Sequence, residues 1–195
     1  MIKIPRVLVT GGAGFIGRAV VNELKKRKKY EIVIADNLSK ESSKAMKKSN
    51  ELKGVEFHKI DLTNEKATLK VMRNCDYVIN LAAKIGGIGY FHKYPATILS
   101  INNKINSSVF NAAVKNNVKR IVQISSSMVF ENTKRFPSKE EDVAKIPPPS
   151  SAYGFSKLSA EYYCRAYYNE FGLKYTIIRP FNAYGINEFP GRDVG

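Results

Sequence analysis

The sequence predicts an α/β protein: a doubly wound parallel sheet with helices on both faces. Three observations carry that expectation. Short apolar, β-branched runs recur along the 195 residues and alternate with longer stretches of helical spacing. Helices between successive strands require right-handed crossovers, which make the strands parallel and cover both faces of the sheet. Most of the strands also lead directly into small or polar residues (glycine, acid, serine or asparagine), at the sheet edge where such folds bind ligands.

The first strand, Val7 to Val9, opens the stretch VLVTGGAGFIG, and a helical pattern begins beyond Gly17. Strand, glycine turn and helix start form the geometry that receives a pyrophosphate, because the first N–H groups of a helix lack partners and its dipole favours an anion. Gly11 is expected to make the turn tight, Gly14 to let the backbone approach the phosphates, and Gly17 to let the helix pack on the strand. A second strand, Glu31 to Ala35, ends in Asp36, 19 residues after Gly17. That is close to the roughly 20 expected of a carboxylate that binds the adenosine ribose of a dinucleotide. Asn37 and Leu38 follow, with no arginine to meet a 2′-phosphate, so NAD is preferred over NADP. The expected cofactor contacts here are Gly11, Gly14, Phe15, Ile16, Gly17, Asp36 and Asn37.

Residues 38–53 form a polar, lysine-rich connector with weak helical character. Val55 to Ile60 reads as a third strand ending at Asp61 and Leu62, Asn64 to Arg73 as a short helix, and Tyr77 to Leu81 as a fourth strand entering Ala82 and Ala83. A glycine-rich loop, Gly86 to Gly89, leads to a long helix from about Tyr94 to Asn117. Lys119 to Ile124 is a fifth strand, running into Ser125, Ser126 and Ser127; residues 131–150 form a polar loop closed by three prolines. Ser150 or Ser151 caps the next helix, which Gly172 stops near Phe171, and Lys174 to Arg179 is a sixth strand leading to Pro180, Phe181 and Asn182.

The helix after the proline run opens SAYGFSKL. Tyr153 and Lys157 stand four residues apart and share one helix face. An ammonium beside a phenol favours the phenolate, so the pair is expected to lower a tyrosine pKa that starts near 10 and to give a general base or acid. The serines ending the neighbouring strand can hydrogen-bond the same substrate oxygen. Taken alone, a tyrosine and lysine at this spacing also describe a surface pair; downstream of a dinucleotide turn they describe a reaction site.

Composition narrows the field. Hydrophobic residues make up 44% of the chain, enough for a core, and no apolar run reaches the roughly 20 residues of a membrane span. Cytoplasm is the expected compartment, since the first strand starts almost at once and leaves no room for a leader. Cys75 and Cys164 show no metal spacing and are expected to be buried or half-buried thiols; His58 and His92 are isolated. The net charge of +15 invites a nucleic-acid reading, yet the lysines are scattered and no binding motif accompanies them. They read as a solvated basic face, with no nucleic acid, membrane or metal as partner.

Across its length the chain resembles the extended short-chain dehydrogenase/reductases, and within them the NAD-dependent epimerase/dehydratases of nucleotide sugars. The motifs are TGGAGFIG at 10–17, the acid at 36, DL at 61–62, NLAA at 80–83, SSSMVF at 125–130, YGFSK at 153–157 and RPFNAYG at 179–185. The resemblance implies a Rossmann domain over 1–180 and the start of an incomplete substrate domain over 181–195. It implies that Tyr153 takes a proton from a sugar hydroxyl as hydride passes to nicotinamide. Lys157 would hold the nicotinamide ribose and tune Tyr153, and Ser126 or Ser127 would orient the hydroxyl. Asp61 and Leu62 would contact adenine; Ala82, Ala83, Pro180 and Phe181 would line the cofactor; Asn182 would contact the nucleotide diphosphate. Asn103, in the long helix, matches an asparagine near the cofactor.

The same resemblance bears on the reaction. At Ser127 and Met128 similar 4,6-dehydratases carry an Asp and a Glu, similar 3,5-epimerases a Cys at 128, and similar decarboxylases a Glu. A thioether neither gives nor takes a proton. That leaves oxidation to a ketone, rotation and hydride return, the 4-epimerisation of UDP-glucose, with other sugar-nucleotide epimerases, reductases and alcohol dehydrogenases of the family as alternatives. AAKIGGIGYF at 82–91 is closer to GDP-fucose synthases and GDP-mannose 3,5-epimerases, so sugar and base stay open. Relatives pair through the helices corresponding to 94–117 and 151–171, which implies a homodimer. They also continue past residue 195, so the chain is read as incomplete, binding NAD but turning over sugar nucleotide poorly. Phe130-Glu131 departs from the Tyr-Gly of many relatives, with no consequence assigned.

Overall fold

A computed structural model of the chain describes residues 3–40, 53–185 and 188. Its elements are β1 (Arg6–Thr10), α1 (Phe15–Arg27), β2 (Glu31–Asp36), β3 (Glu56–Lys59), α2 (Glu65–Val71), β4 (Tyr77–Asn80), α3 (Ile88–Lys93), α4 (Pro95–Lys115), β5 (Arg120–Ile124), α5 (Ala152–Phe171) and β6 (Lys174–Ile178). Two short 3-10 turns, Ser127–Phe130 and Glu140–Ala144, lie between β5 and α5. The six strands form one sheet in the order β3-β2-β1-β4-β5-β6, and every neighbouring pair is parallel.

Alternation along the strands builds a core on each face. From β1 and β2, Leu8, Val33 and Ala35 point to one side, where they meet Val78, Ile121, Val71 and Met72, with Val109 and Phe110 of α4 and Cys164 of α5. Val7, Val9, Ile32 and Ile34 point to the other and pack with Val21 of α1. Both cysteines are buried free thiols. The order reverses between β1 and β4, so the crevice opens where the two halves diverge, above the carboxyl ends of the strands.

The expected strands are all present, with ends shifted by one residue. Three local readings are corrected and one pair of alternatives is resolved. Helix α1 begins at Phe15, so Gly17 lies in its first turn rather than before it. Residues 88–93, read as loop, form α3; Pro95 forces Tyr94 out of the α region (φ −131°, ψ 48°) and separates α3 from α4. Within the 131–150 loop Glu140–Ala144 is a 3-10 turn, closed by the Lys139 N–H donating to Asp142 Oδ2 at 2.8 Å. Of the two expected cap candidates, Ser151 caps α5, its Oγ accepting from the Gly154 N–H at 3.1 Å. Gly172 ends α5 at φ 71°, as expected of a left-handed stop. Most of the lysine-rich connector and of the 181–195 segment lies outside the described residues.

Candidate active site

The glycine turn is held by its own backbone. Gly11, at φ 65°, donates its N–H to the Ala35 carbonyl at 2.8 Å and accepts from the Gly14 N–H at 3.0 Å. A Cβ on Gly17 would land on the Gly11 carbonyl oxygen and on Gly12, so Gly17 is needed for contact with the turn itself, not with the strand. Gly14 precedes α1 and supplies no side-chain cap, which leaves the amides of the first turn aimed at the cleft. Thr10, at the end of β1, continues a buried polar row across the sheet: its Oγ1 donates to Asn80 Oδ1 at 2.6 Å, and Asn80 Nδ2 donates to Gln123 Oε1 at 2.7 Å.

Beyond the turn the cleft runs past β2 and β3. The buried Asp36 carboxylate accepts from the Ala13 N–H at 3.1 Å and the Leu38 N–H at 2.7 Å, so it braces the glycine turn as well as lining the cleft. A carboxylate has about four acceptor positions, enough to serve a ribose also. Asn37 Oδ1 accepts from the Ser39 N–H at 3.0 Å. Asp61 accepts from the Thr63 N–H and hydroxyl, both at 2.9 Å, and shapes the turn before α2; Leu62 beside it is buried.

On the other side of β1, Ala82 and Ala83 follow β4 and line the cleft with Lys84. Asn103 does not reach it: its Oδ1 accepts from Ser159 Oγ at 3.0 Å, between α4 and α5. Its neighbour Asn102, one helical step away, points inward. Asn102 Oδ1 accepts from the Lys84 N–H at 2.6 Å, and its Nδ2 donates to the Lys84 carbonyl at 3.2 Å and Ser156 Oγ at 3.1 Å. A step of one residue turns a helical side chain by about 100°, which is why the adjacent asparagines differ.

Ser126, Tyr153 and Lys157 meet at the β5 end of the cleft, and all three are buried. Gly154 permits this approach: a Cβ there would come within 2.7 Å of Pro149 and 2.9 Å of the Met128 carbonyl oxygen. The Ser126 side chain is close enough to Tyr153 to favour the ionised phenol. The Ser126 Oγ also accepts from the Met128 N–H at 3.2 Å, and the Ser127 N–H donates to the Pro180 carbonyl at 3.0 Å. Lys157 Nζ donates to the Ile124 carbonyl at 3.0 Å and stands 5.8 Å from the centre of the Tyr153 ring. The ring of Phe91, from α3, stacks on Tyr153 at 4.7 Å with 7° between the planes.

Burial reverses one expectation. The Tyr153 hydroxyl is pushed above its usual range because it is withdrawn from water, and the nearby Ser126 side chain only partly offsets this. Lys157 falls to about 8 because its ammonium is desolvated. The expected acidification of Tyr153 by Lys157 is therefore not found: desolvation dominates at the phenol, and the adjacent ammonium does not offset it.

Pro180 and Asn182 line the cleft, whereas Phe181 turns outward and stacks on Phe130 at 6.1 Å. The other expected contacts, Gly11 to Gly17, Asp36, Asn37, Asp61, Leu62, Ser126, Ser127, Tyr153 and Lys157, converge on one open cavity of about 720 Å³. Phe91, Lys84 and Lys104 of α4 join them unanticipated. Glu131 also gains a role, accepting from the Ser151 N–H at 3.0 Å and hydroxyl at 2.8 Å where α5 begins. Among the described residues no helix is long and apolar enough to cross a membrane, and no three His, Cys, Asp or Glu side chains gather as for a metal.

A model of the NAD dependent epimerase/dehydratase family matches residues 7–195. GDP-mannose 3,5-epimerase 1 of Oryza sativa subsp. indica is 33% identical over 183 residues, covering 92% of this chain and 47% of its own. UDP-glucose 4-epimerase of Dictyostelium discoideum is 34% identical over 160 residues, 80% of this chain and 45% of that one. Among solved structures, the UDP-glucose 4-epimerase of Thermotoga maritima with UDP-glucose aligns with a TM-score of 0.84 and 32% identity, covering 97% of this chain and 60% of that one. The chain spans about half the length of the curated relatives it matches.

Proposed function

The chain belongs to the NAD dependent epimerase/dehydratase family, and from that premise we propose that it forms the cofactor-binding half of an NAD-dependent nucleotide-sugar 4-epimerase. The observation that carries the reading is the meeting of Ser126, Tyr153 and Lys157 at one end of a cleft whose other end is the glycine turn.

The residues present fit the cofactor. The first turn of α1, Phe15 to Gly17, has no side-chain cap and offers its amides to a pyrophosphate, Asp36 and Asn37 flank the ribose position, and Asp61 and Leu62 border the adenine end. When bound, NAD supplies a reversible acceptor for the hydrogen leaving the sugar carbon. Tyr153 then takes the hydroxyl proton and returns it, and Ser126 orients that hydroxyl. Lys157 holds the nicotinamide ribose through the donors not spent on Ile124. Its ammonium, where charged, stands beside the ring and favours the phenolate. Met128, on the cavity wall, offers no acid or base for elimination or for exchange at a carbon next to the ketone.

One observation favours a second reading. The segment 82–91, which is closer to the GDP-sugar enzymes, puts Lys84, Ile85 and Phe91 on the cavity wall, so a GDP sugar is the alternative substrate. Incubating the protein with UDP-galactose and, separately, GDP-mannose decides between them: a 4-epimerase converts the first without net NADH. Accumulating NADH points instead to a dehydrogenase, and conversion of GDP-mannose alone to the second reading. The 181–195 segment opens the substrate domain in this proposal, so residues 1–195 bind NAD and turn over sugar slowly. Two copies pair through α4 and α5, a dimer that sedimentation would detect.

A further inference from the structure

We propose that Glu161 and Arg179, joined as a buried carboxylate–guanidinium fork, are positioning residues that lock the Tyr153–Lys157 face of α5 to the serine turn and to the Pro180–Asn182 segment. The inference rests on the functional reading above. Glu161 lies one helical turn beyond Lys157 and two beyond Tyr153, and its side chain is fully buried. Its Oε1 accepts from Arg179 Nε and its Oε2 from Arg179 Nη2, both at 2.8 Å, while Ser125 Oγ donates to Oε1 at 2.7 Å. Arg179 reaches further: its Nη1 donates to the Glu140 carbonyl at 2.9 Å, and its guanidinium lies 5.4 Å over the Phe130 ring.

The neighbours of these groups give the fork its meaning. Ser125 immediately precedes Ser126, which lies with Tyr153 and Lys157 in the cleft. Arg179 immediately precedes Pro180, whose carbonyl receives the Ser127 N–H. One carboxylate thus ties the helix carrying the phenol and amine to both segments that face them across the cleft. A buried ion pair is weak as a source of stability, since apolar residues of similar volume often do as well. It is strong as a source of register, because the planar fork fixes distance and orientation together.

The test compares wild-type protein with Glu161→Met/Arg179→Met and with Arg179→Lys, which keeps the charge but loses the fork. The double variant is expected to keep its thermal midpoint within a few degrees and its NAD Kd, by calorimetry, within about threefold, since the glycine turn is untouched. The amide resonances of Ser126, Ser127 and Asn182 should move while those of Gly11 to Gly17 stay. Interconversion of UDP-galactose and UDP-glucose, followed by NMR, should slow by roughly a hundredfold, the cost of misplacing reacting groups by about 1 Å. Arg179→Lys should show the same pattern at smaller amplitude, and carries the test if the double variant does not fold. Unmoved serine-turn amides with an unchanged rate would overturn the proposal, as would a rate loss matching only the unfolded fraction. If wild-type protein interconverts no nucleotide sugar, the functional reading fails, and the amide shifts alone decide the positioning role.

Discussion

Two lysines at opposite edges of the same sheet show how differently this molecule uses charge. At the edge where the strands begin, Lys119 is 63% exposed and pairs with Asp76 at 2.9 Å; each holds the other in its charged form, raising the lysine and lowering the acid. Arg6 extends that edge by pairing with Glu31 and Glu56, and Glu56 is also hydrogen-bonded to His58. At the edge where the strands end, Lys157 is only 7% exposed, its ammonium donates to the Ile124 backbone carbonyl, and its pKa falls to about 8. The first arrangement is what folding alone favours. The second costs stability and persists beside a cavity, which marks a site held ready for chemistry.

The largest effect expected from breaking this contrast is on turnover. Tyr153→Phe should reduce epimerisation by roughly 10²–10⁴-fold, the range for losing a general acid–base, with NAD affinity measured by calorimetry nearly unchanged. Next comes Gly17→Ala, whose methyl collides with the Gly11 carbonyl. It should weaken NAD binding by at least about tenfold and destabilise the fold by roughly 1–3 kcal/mol in urea titrations.

Lys157 sharpens the comparison through pH. The unfolded chain holds its lysine proton up to about 10.5, whereas folded Lys157 sheds it near 8. Between those values the unfolded state binds more protons, so stability should rise with pH, and the cost is fully present below 8. From pH 8 to 10 the gain is on the order of 3 kcal/mol. Lys157→Met should remove that slope in urea titrations. Above 10 the raised Tyr153 works in the opposite sense, since the unfolded chain then loses its tyrosine proton first.

The smallest effect belongs to the other edge. Asp76 has a lowered pKa, so its contribution is present above the ordinary carboxylate range and is lost as pH falls through its folded value. Asp76→Asn should flatten the acid limb of the stability profile, shift the neutral thermal midpoint by a few degrees at most, and leave NAD binding alone.

What could be read before the structure was whatever local periodicity and spacing determine. Val7, Val9 and Leu8 alternate, so strands and faces followed; the glycine turn, Asp36 and the Tyr153–Lys157 spacing are local too. What resisted reading depends on pairings distant in sequence. Nothing local says that Glu161 will meet Arg179 and Ser125, although an acid one turn beyond Lys157 on a buried stripe was a signal. Asn102 and Asn103 are indistinguishable until the helix is docked. Three glycines hid α3, and with it the Phe91 ring that covers Tyr153. The direction of the Tyr153 shift was misread because spacing reveals a neighbouring charge but not how much water both groups have lost.

The most direct test of the account is a crystal structure of the chain soaked with NAD. The account expects the pyrophosphate on the amides of Gly11 to Gly17, adenine against Asp61 and Leu62, and the nicotinamide beside Tyr153 with its ribose on Lys157. A cofactor bound elsewhere, or one whose nicotinamide lies away from Tyr153 with the Phe91 stack intact, would contradict it.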